Sequence, residues 1–176
     1  MAADLLWERG YRRIAYLGGP RTAPSTEDRV KGFRRRLLAH GLRPVTEVYG
    51  HSFSYGVGNI LMRQLLHSCD ADAVFCGDEI LAMGAIDACR EAGISVPGEM
   101  GIIGFDDMPM ASWSAYDLTT VRQPIAVIIT TAVKLILSIV GKPKLAAETR
   151  LFACEGIVRG TLRAPASETR AVDHKS

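Results

Sequence analysis

Short, continuously apolar runs alternate along the chain with longer segments in which apolar residues recur every three or four positions. A run without polar alternation is typical of a strand that is covered on both faces of its sheet. These runs predict strands over residues 13–18, 44–49, 73–76, 100–105 and 118–122, of which 44–49 is the weakest. Residues 150–163 predict one or two further short strands.

The segments between these runs have the spacing of amphipathic helices. Over residues 28–40, Val30, Phe33, Leu37 and Leu38 fall at positions i, i+3, i+7 and i+8 of one helical face. Further helices are predicted over residues 54–67, 78–92 and 124–140, and the polar tail 164–176 is predicted to be disordered. Because strand and helix alternate four times, the pattern predicts an α/β fold in which helices cover both faces of a parallel sheet.

Composition narrows the class of protein. The 176 residues include 21 Lys and Arg against 19 Asp and Glu, and this balance argues against a surface dominated by nucleic-acid binding. The cysteines are scattered without metal-ligand spacing, so we expect core residues in a reducing cytoplasm and no metal site. Residues 1–11 lack the features of a secretory signal, and the apolar stretch 125–140 is shorter than the roughly 20 residues of a membrane span. We therefore expect a cytoplasmic protein that does not enter a membrane, with 125–140 as a buried or interfacial helix.

Side chains suited to a polar ligand follow the ends of the predicted strands. In open parallel sheets, ligands bind beyond the carboxyl ends of the strands. The side chains found there are Arg29, Phe53, Asp78, Glu79, Asp106 and Gln123. Carboxylates and amides bind hydroxyl groups, arginine makes a planar fork, and an aromatic ring stacks on the apolar face of a sugar. This set predicts a site for a hydroxylated small molecule.

Each of these residues also has a structural interpretation. Asp78 and Asp106 are at positions where a carboxylate often caps the following helix. An arginine on a helix is more often solvated or ion-paired, and a phenylalanine such as Phe53 is more often a core residue. The sequence contains no nucleophile elbow, phosphate loop or dinucleotide fingerprint, so we expect neither an enzyme nor a cofactor.

An ordered set of motifs resembles one known family. The motifs are GYRRIAYLGG at residues 10–19, Arg29 followed by Gly32-Phe33, AVFCGDEILAMGA at 73–85, Val96-Pro97, IGFDD at 103–107 and LTTVRQP at 118–124. Together they resemble the effector-binding domain of LacI/GalR transcriptional regulators over about residues 2–163. The resemblance implies the type I periplasmic-binding-protein fold, in which two Rossmann-like subdomains enclose the effector.

The resemblance also implies a division of the chain. Residues 1–122 correspond to the C-terminal subdomain, 123–149 to a crossover helix and loop of the N-terminal subdomain, 150–163 to the return strands, and 164–176 to a disordered tail. On this alignment the chain begins inside the first helix of the C-terminal subdomain. The DNA-reading head and most of the N-terminal subdomain are then expected to be missing.

Particular positions match the family's binding residues. Arg29 aligns with the effector-binding arginine, Phe53 with the aromatic residue that stacks on the ligand, and Asp106 with the aspartate that accepts ligand hydrogen bonds. Gln123 aligns with a glutamine in the cleft. Asp78 and Glu79 stand where the family usually has Asn-Asp, which adds a charge near the ligand. The family's dimer surface corresponds here to Ile80, Leu81, Met83 and Trp113.

The function implied is that of the effector-binding and dimerisation domain of a LacI-type repressor. The effector is expected to be a sugar or a related polar ligand, with DNA bound only through the absent N-terminal head. The chain is expected to form a homodimer, in which a second copy also swaps or docks onto helix 125–140. A periplasmic sugar-binding protein of an ABC transporter shares the fold and remains the alternative.

Overall fold

Six strands form one sheet in the computed structural model, which describes residues 1–140 and 148–165. The strands are β1 (Ile14–Gly18), β2 (Glu47–Tyr49), β3 (Ala73–Cys76), β4 (Gly101–Asp106), β5 (Thr119–Arg122) and β6 (Glu155–Ile157). Their order is β2-β1-β3-β4-β5-β6, with the first five parallel and β6 antiparallel to β5. The predicted α/β fold with a parallel sheet is therefore confirmed.

The helices are α1 (Ala2–Glu8), α2 (Pro24–Ala39), α3 (Tyr55–Ser68), α4 (Glu79–Glu91) and α5 (Ile125–Ile139). Helix α2 begins four positions earlier than its apolar pattern predicts, because Pro24 in the first turn needs no amide donor and already has a helical φ. A short 3-10 turn, Pro109–Ser112, follows β4. The tail beyond residue 165 and the segment 141–147 lie outside the described residues, so the prediction of a disordered tail stays a prediction.

Two apolar layers sandwich the sheet because neighbouring residues of a strand point to opposite faces. On one face, Ala15 and Leu17 of β1 pack with residues of α3 and α4. On the other face, Tyr16 packs with Phe33 of α2 and Phe75 of β3, whose rings lie 5.0 Å apart. The strands are apolar at consecutive positions because both faces of the sheet are covered. The packed sheet holds the carboxyl ends of its parallel strands in a fixed row.

Helices α3 and α4 touch backbone to backbone through two glycines. A Cβ atom on Gly58 would lie 2.2 Å from the carbonyl oxygen of Leu81, and one on Gly84 would lie 2.1 Å from the carbonyl oxygen of Tyr55. This contact buries Leu81 completely and leaves Met83 only 5% exposed. Leu81, which the resemblance assigns to a dimer surface, is thus a core residue that a partner cannot reach while the two helices stay together.

Helix α5 projects its apolar side chains into solvent. None of its residues is buried by the part of the chain that the structure describes. Ile125, Ile129, Val133 and Ile136 form a stripe at helical spacing, and each is about half exposed. Among residues 1–140 and 148–165, no helix is long and apolar enough to cross a membrane. The described residues therefore do not bury this helix, and the alternative expectation of an interfacial helix stays a prediction.

Candidate ligand-binding site

Three predicted residues meet at the carboxyl edge of the sheet. Asp106 ends β4, Gln123 follows β5, and Arg29 reaches this edge from α2. The side-chain amide of Gln123 donates to Asp106 Oδ1 at 2.5 Å, and Arg29 Nη2 lies 3.4 Å from the same oxygen. Both contacts use Oδ1, so Oδ2 retains its capacity to accept hydrogen bonds from a ligand.

Arg29 is held in place by two further groups. Its Nη1 donates to the carbonyl oxygen of Gly77 at the end of β3, and its guanidinium carbon lies 4.0 Å from the centre of the Phe105 ring. The Arg29 side chain is 17% exposed. A guanidinium fixed by a carbonyl, a carboxylate and an aromatic face presents its remaining donors in one orientation, which suits selective binding of a ligand.

Asp106 combines a strained backbone with a partly buried carboxylate. Its φ of 115° lies in a region that only glycine adopts readily, and such strain is concentrated at functional sites. Burial raises the pKa of Asp106, while the Arg29 charge and the Gln123 hydrogen bond oppose that shift and the nearby Asp78 adds to it. The surroundings therefore supply a half-buried carboxylate with a spare acceptor oxygen.

Phe53 lies at the same edge of the sheet, in the segment that follows β2. Its ring packs over Gly19, where a Cβ atom would lie 2.4 Å from the ring. The residue is 37% exposed, so it is not a core phenylalanine. This position favours the interpretation that the ring provides an apolar surface for a ligand over the interpretation that it fills the interior.

Asp78 caps helix α4. Its Oδ1 accepts hydrogen bonds from the amides of Ile80 and Leu81 at 2.8 Å and 3.4 Å. Asp78 therefore has the structural role of a helix cap. Because Asp78 also raises the pKa of Asp106 through its charge, it lies close enough to influence the site without having to touch a ligand.

Removal of the Asp78 cap is expected to destabilise the domain. We expect Asp78→Ala to lower the free energy of unfolding by about 1 kcal/mol, because two amides of the first turn lose their acceptor. Ser54, the N-cap of α3, makes no capping hydrogen bond within the described residues, and Ser54→Ala is expected to cost only a few tenths of a kcal/mol. Urea unfolding of both variants checks this, and equal losses would contradict the role of Asp78.

Glu79 does not lie in the wall of the site. The residue is fully buried, and its Oε2 accepts a hydrogen bond at 2.8 Å from the amide of Met108. Burial raises the pKa of Glu79. The expectation that Glu79 contacts a ligand directly is therefore not supported by the structure, which places this carboxyl group beneath the turn that follows β4.

Two contacts of the site were not anticipated from the sequence. The first is the contact between the Phe105 ring and the Arg29 guanidinium. In the sequence Phe105 is simply the last apolar residue of a strand, and its position directly before Asp106 is the only sign of this contact. Asp107 accepts from Arg122 at 2.6 Å and from Arg159 at 2.7 Å. Arg159 lies far along the chain, so nothing in the local sequence pattern pairs it with Asp107.

The proposed dimer residues are distributed unevenly over the surface. Trp113 is 58% exposed, directly after the 3-10 turn, whereas Ile80 is only partly exposed. Leu81 and Met83 face the interior, as described above. Of the four residues, Trp113 alone offers a large accessible apolar side chain.

Two cavities differ in their relation to this site. An apolar cavity of about 220 Å³ adjoins Arg29 and Phe105. A larger cavity of about 380 Å³ has a lining that includes Val96, Tyr116 and Asp117. It lies at the amino ends of β4 and β5, which is the edge of the sheet opposite to the candidate site. Among the described residues, no group of three His, Cys, Asp or Glu side chains is placed to bind a metal ion.

Sequence comparison identifies relatives over nearly the whole chain. Residues 3–162 match the family described as "Periplasmic binding protein-like domain". The HTH-type transcriptional repressor CytR of Escherichia coli K12 is 32% identical over 165 residues, which are 93% of this chain and 48% of that protein. The HTH-type transcriptional regulator MalR of Streptomyces coelicolor is 31% identical over 97% of this chain and 51% of its own length. The chain thus spans about half the length of the curated relatives it matches.

Solved structures share the fold. The Lac repressor dimer bound to operator and the anti-inducer ONPF superposes with a TM-score of 0.85 at 24% identity, over 93% of this chain and 57% of that chain. The complex of the transcriptional regulator CelR with cellobiose gives a TM-score of 0.83 at 28% identity, over 90% of this chain and 49% of that chain. The first of these likenesses establishes the fold only.

Proposed function

This chain belongs to the family of periplasmic binding protein-like domains found in LacI-type transcriptional regulators, and on that premise we propose that it is the ligand-binding and dimerisation domain of such a regulator. The observation that supports this most is the convergence of Arg29, Asp106 and Gln123 at the carboxyl edge of the sheet. This is the edge at which parallel sheets bind ligands.

The ligand we propose is a sugar or a related hydroxylated molecule. Asp106 Oδ2 would accept hydrogen bonds from ligand hydroxyls, and such bonds are strong because the acceptor is charged. Phe53 would stack on the apolar face of a sugar ring. One related structure is a cellobiose complex, and another relative is a ribose operon repressor of Escherichia coli K12, so ribose and cellobiose are reasonable first probes.

The proposed mechanism is a shift between conformations rather than a chemical reaction. A ligand that binds one arrangement of the regulator better than another increases the population of that arrangement. We propose that this shift changes how a separate DNA-reading head engages its operator, and that the regulator is a repressor located in the cytoplasm with the chromosome. The regulator relatives favour this function over the alternative of a periplasmic sugar-binding protein.

Two surfaces support the proposal of a homodimer. The first includes the exposed Trp113 and the partly exposed Ile80. The second is the apolar stripe of α5, since a large exposed apolar patch on a protein usually marks an interface. We propose that a second copy of this chain covers α5. The division of the chain into residues 1–122, 123–149 and 150–163 is likewise part of the proposal.

Substitution of Asp106 tests the binding function. We expect Asp106→Asn to weaken the binding of ribose or cellobiose about tenfold or more, because a hydrogen bond to a charged acceptor contributes about 1.5–3 kcal/mol. Asp117→Asn is a matched control, since Asp117 also has a positive φ but lies at the opposite end of the sheet. Saturation-transfer NMR measures the affinities even when binding is weak. Equal affinities for wild type and Asp106→Asn would contradict the proposal.

A further inference from the structure

The turn that presents Asp106 is held in an unfavourable backbone conformation. Asp106 and the next residue, Asp107, both have positive φ values, of 115° and 56°. Two consecutive non-glycine residues in this region cost free energy, so surrounding contacts must hold them there. The contacts that do so determine where the Asp106 carboxylate points.

Asp107 is fixed from the side of β5. Its carboxylate is 7% exposed and forms ion pairs with Arg122 and Arg159. Arg159 also donates to the carbonyl oxygen of Leu118 at 2.7 Å, which ties the turn to the segment that precedes β5. These contacts fix the side chain of Asp107 but leave the backbone of the next residue, Met108, without support from this side.

Glu79 supplies that support from α4. Its fully buried Oε2 accepts from the Met108 amide at 2.8 Å. Gly104 of β4 provides room for the carboxyl group, since a Cβ atom there would lie 3.2 Å from Glu79 Oε1 and 3.1 Å from Leu118 Cδ2. A carboxyl group thus enters the buried layer between α4 and the sheet to reach one backbone amide of the turn.

The second oxygen of Glu79 and the hydroxyl of Thr120 are both buried, and neither has a hydrogen-bond partner assigned among the described residues. The Thr120 hydroxyl nevertheless lies near enough to lower the pKa of Glu79. The Thr120 hydroxyl can donate to Glu79 Oε1, and this contact opposes the larger upward shift of the Glu79 pKa that burial causes. The charged groups that act on Glu79 are the carboxylates of Asp106 and Asp107, which also favour a neutral Glu79.

We propose that Glu79 is a positioning residue that fixes the Asp106–Met108 turn and so aims the Asp106 carboxylate at the ligand. This inference rests on the ligand-binding role proposed for Asp106. Glu79 does not touch the ligand and acts only through the backbone of Met108. Because this contact needs only an acceptor oxygen at the same position, glutamine is expected to replace Glu79 with little effect.

The test uses NMR of the full chain without ligand, with Glu79→Gln and Glu79→Ala as variants and Glu91→Ala, an exposed site on the same helix, as the control. In wild type, the Met108 amide proton shift is expected to follow the titration of Glu79, and in Glu79→Gln this response should vanish while amide protection remains. In Glu79→Ala, exchange of the Met108 amide should accelerate about tenfold or more as its hydrogen bond is lost. The pKa of the Asp106 carboxyl group should also differ between Glu79→Ala and wild type.

Three results would overturn the inference. One is a folded Glu79→Ala protein with unchanged Met108 exchange and Asp106 titration, and another is Glu79→Gln that behaves like Glu79→Ala. The third result applies even if Glu79→Ala does not fold. It is a Met108 amide proton shift with the same pH dependence in wild type and in Glu79→Gln. Since no sugar is added, failure of ribose and cellobiose to bind would count against the proposed function and leave this test intact.

Discussion

Replacement of Gly84 with alanine is expected to lower the free energy of unfolding of the domain by about 2–3 kcal/mol, as overpacking of a tight core does. The added Cβ atom would lie 2.1 Å from the carbonyl oxygen of Tyr55 and 2.7 Å from the amide nitrogen of Asn59. Both are backbone atoms of α3, so no side chain can rotate away to relieve the clash. Helices α3 and α4 would have to separate, which would loosen one whole face of the sheet.

Gly32 provides the matched control for this prediction. It lies within α2, and no described atom comes within 4 Å of where its Cβ would be. Gly32→Ala is therefore expected to stabilise the domain by up to about 1 kcal/mol, through helix propensity alone. Urea unfolding of both variants measures the difference. Opposite signs support the close helix contact, and a Gly84→Ala protein as stable as wild type would refute it.

The exposed stripe of α5 is expected to drive self-association of the chain. Introducing charge with the double substitution Ile129→Glu and Ile136→Glu should convert an associating protein into a monomer, because each charge would have to be buried in the interface. Glutamate is a good helix former, so the helix itself should persist. Analytical ultracentrifugation over a wide range of concentrations gives the oligomeric state directly.

The control for α5 adds the same charges to positions that are already polar. Thr130 and Ser138 are exposed and lie off the apolar stripe, so Thr130→Glu with Ser138→Glu should associate as wild type does. A wild-type chain that stays monomeric at high concentration would contradict the proposal that a second copy covers α5. Equal loss of association in both double variants would show that net charge, rather than the stripe, controls it.

The strands and the carboxyl-edge position of the site could be predicted because they depend on local patterns. Strands buried on both faces have runs of apolar residues, as in β1 and β3, and the rule that parallel strands end at one edge then groups Arg29, Asp106 and Gln123. The structure places these three residues in contact. Their role in binding remains a prediction.

The environments of Glu79 and Leu81 could not be predicted because they depend on distant parts of the chain. Glu79, in α4, is buried because Gly104 of β4 leaves room for its carboxyl group. Leu81 is buried because Gly58 lets α3 approach the Leu81 backbone. A charged residue beside a helix cap, or a leucine on an amphipathic helix, has the same local sequence whether it is exposed or buried. The positive φ of Asp106 could not be predicted either, because residues 106 and 107 are not glycines and no local pattern marks a turn of this kind.

Amide NMR of this chain during titration with ribose and with cellobiose shows whether the carboxyl edge of the sheet binds a hydroxylated ligand. We expect the signals that move with sugar concentration to cluster at Arg29, Phe53, Asp106 and Gln123, and we expect Asp106→Asn to remove this response. Signals that move instead around Tyr116 and Asp117, at the cavity on the opposite edge, would contradict it. A response at the carboxyl edge that Asp106→Asn leaves unchanged would contradict the ligand-binding role of that edge as well.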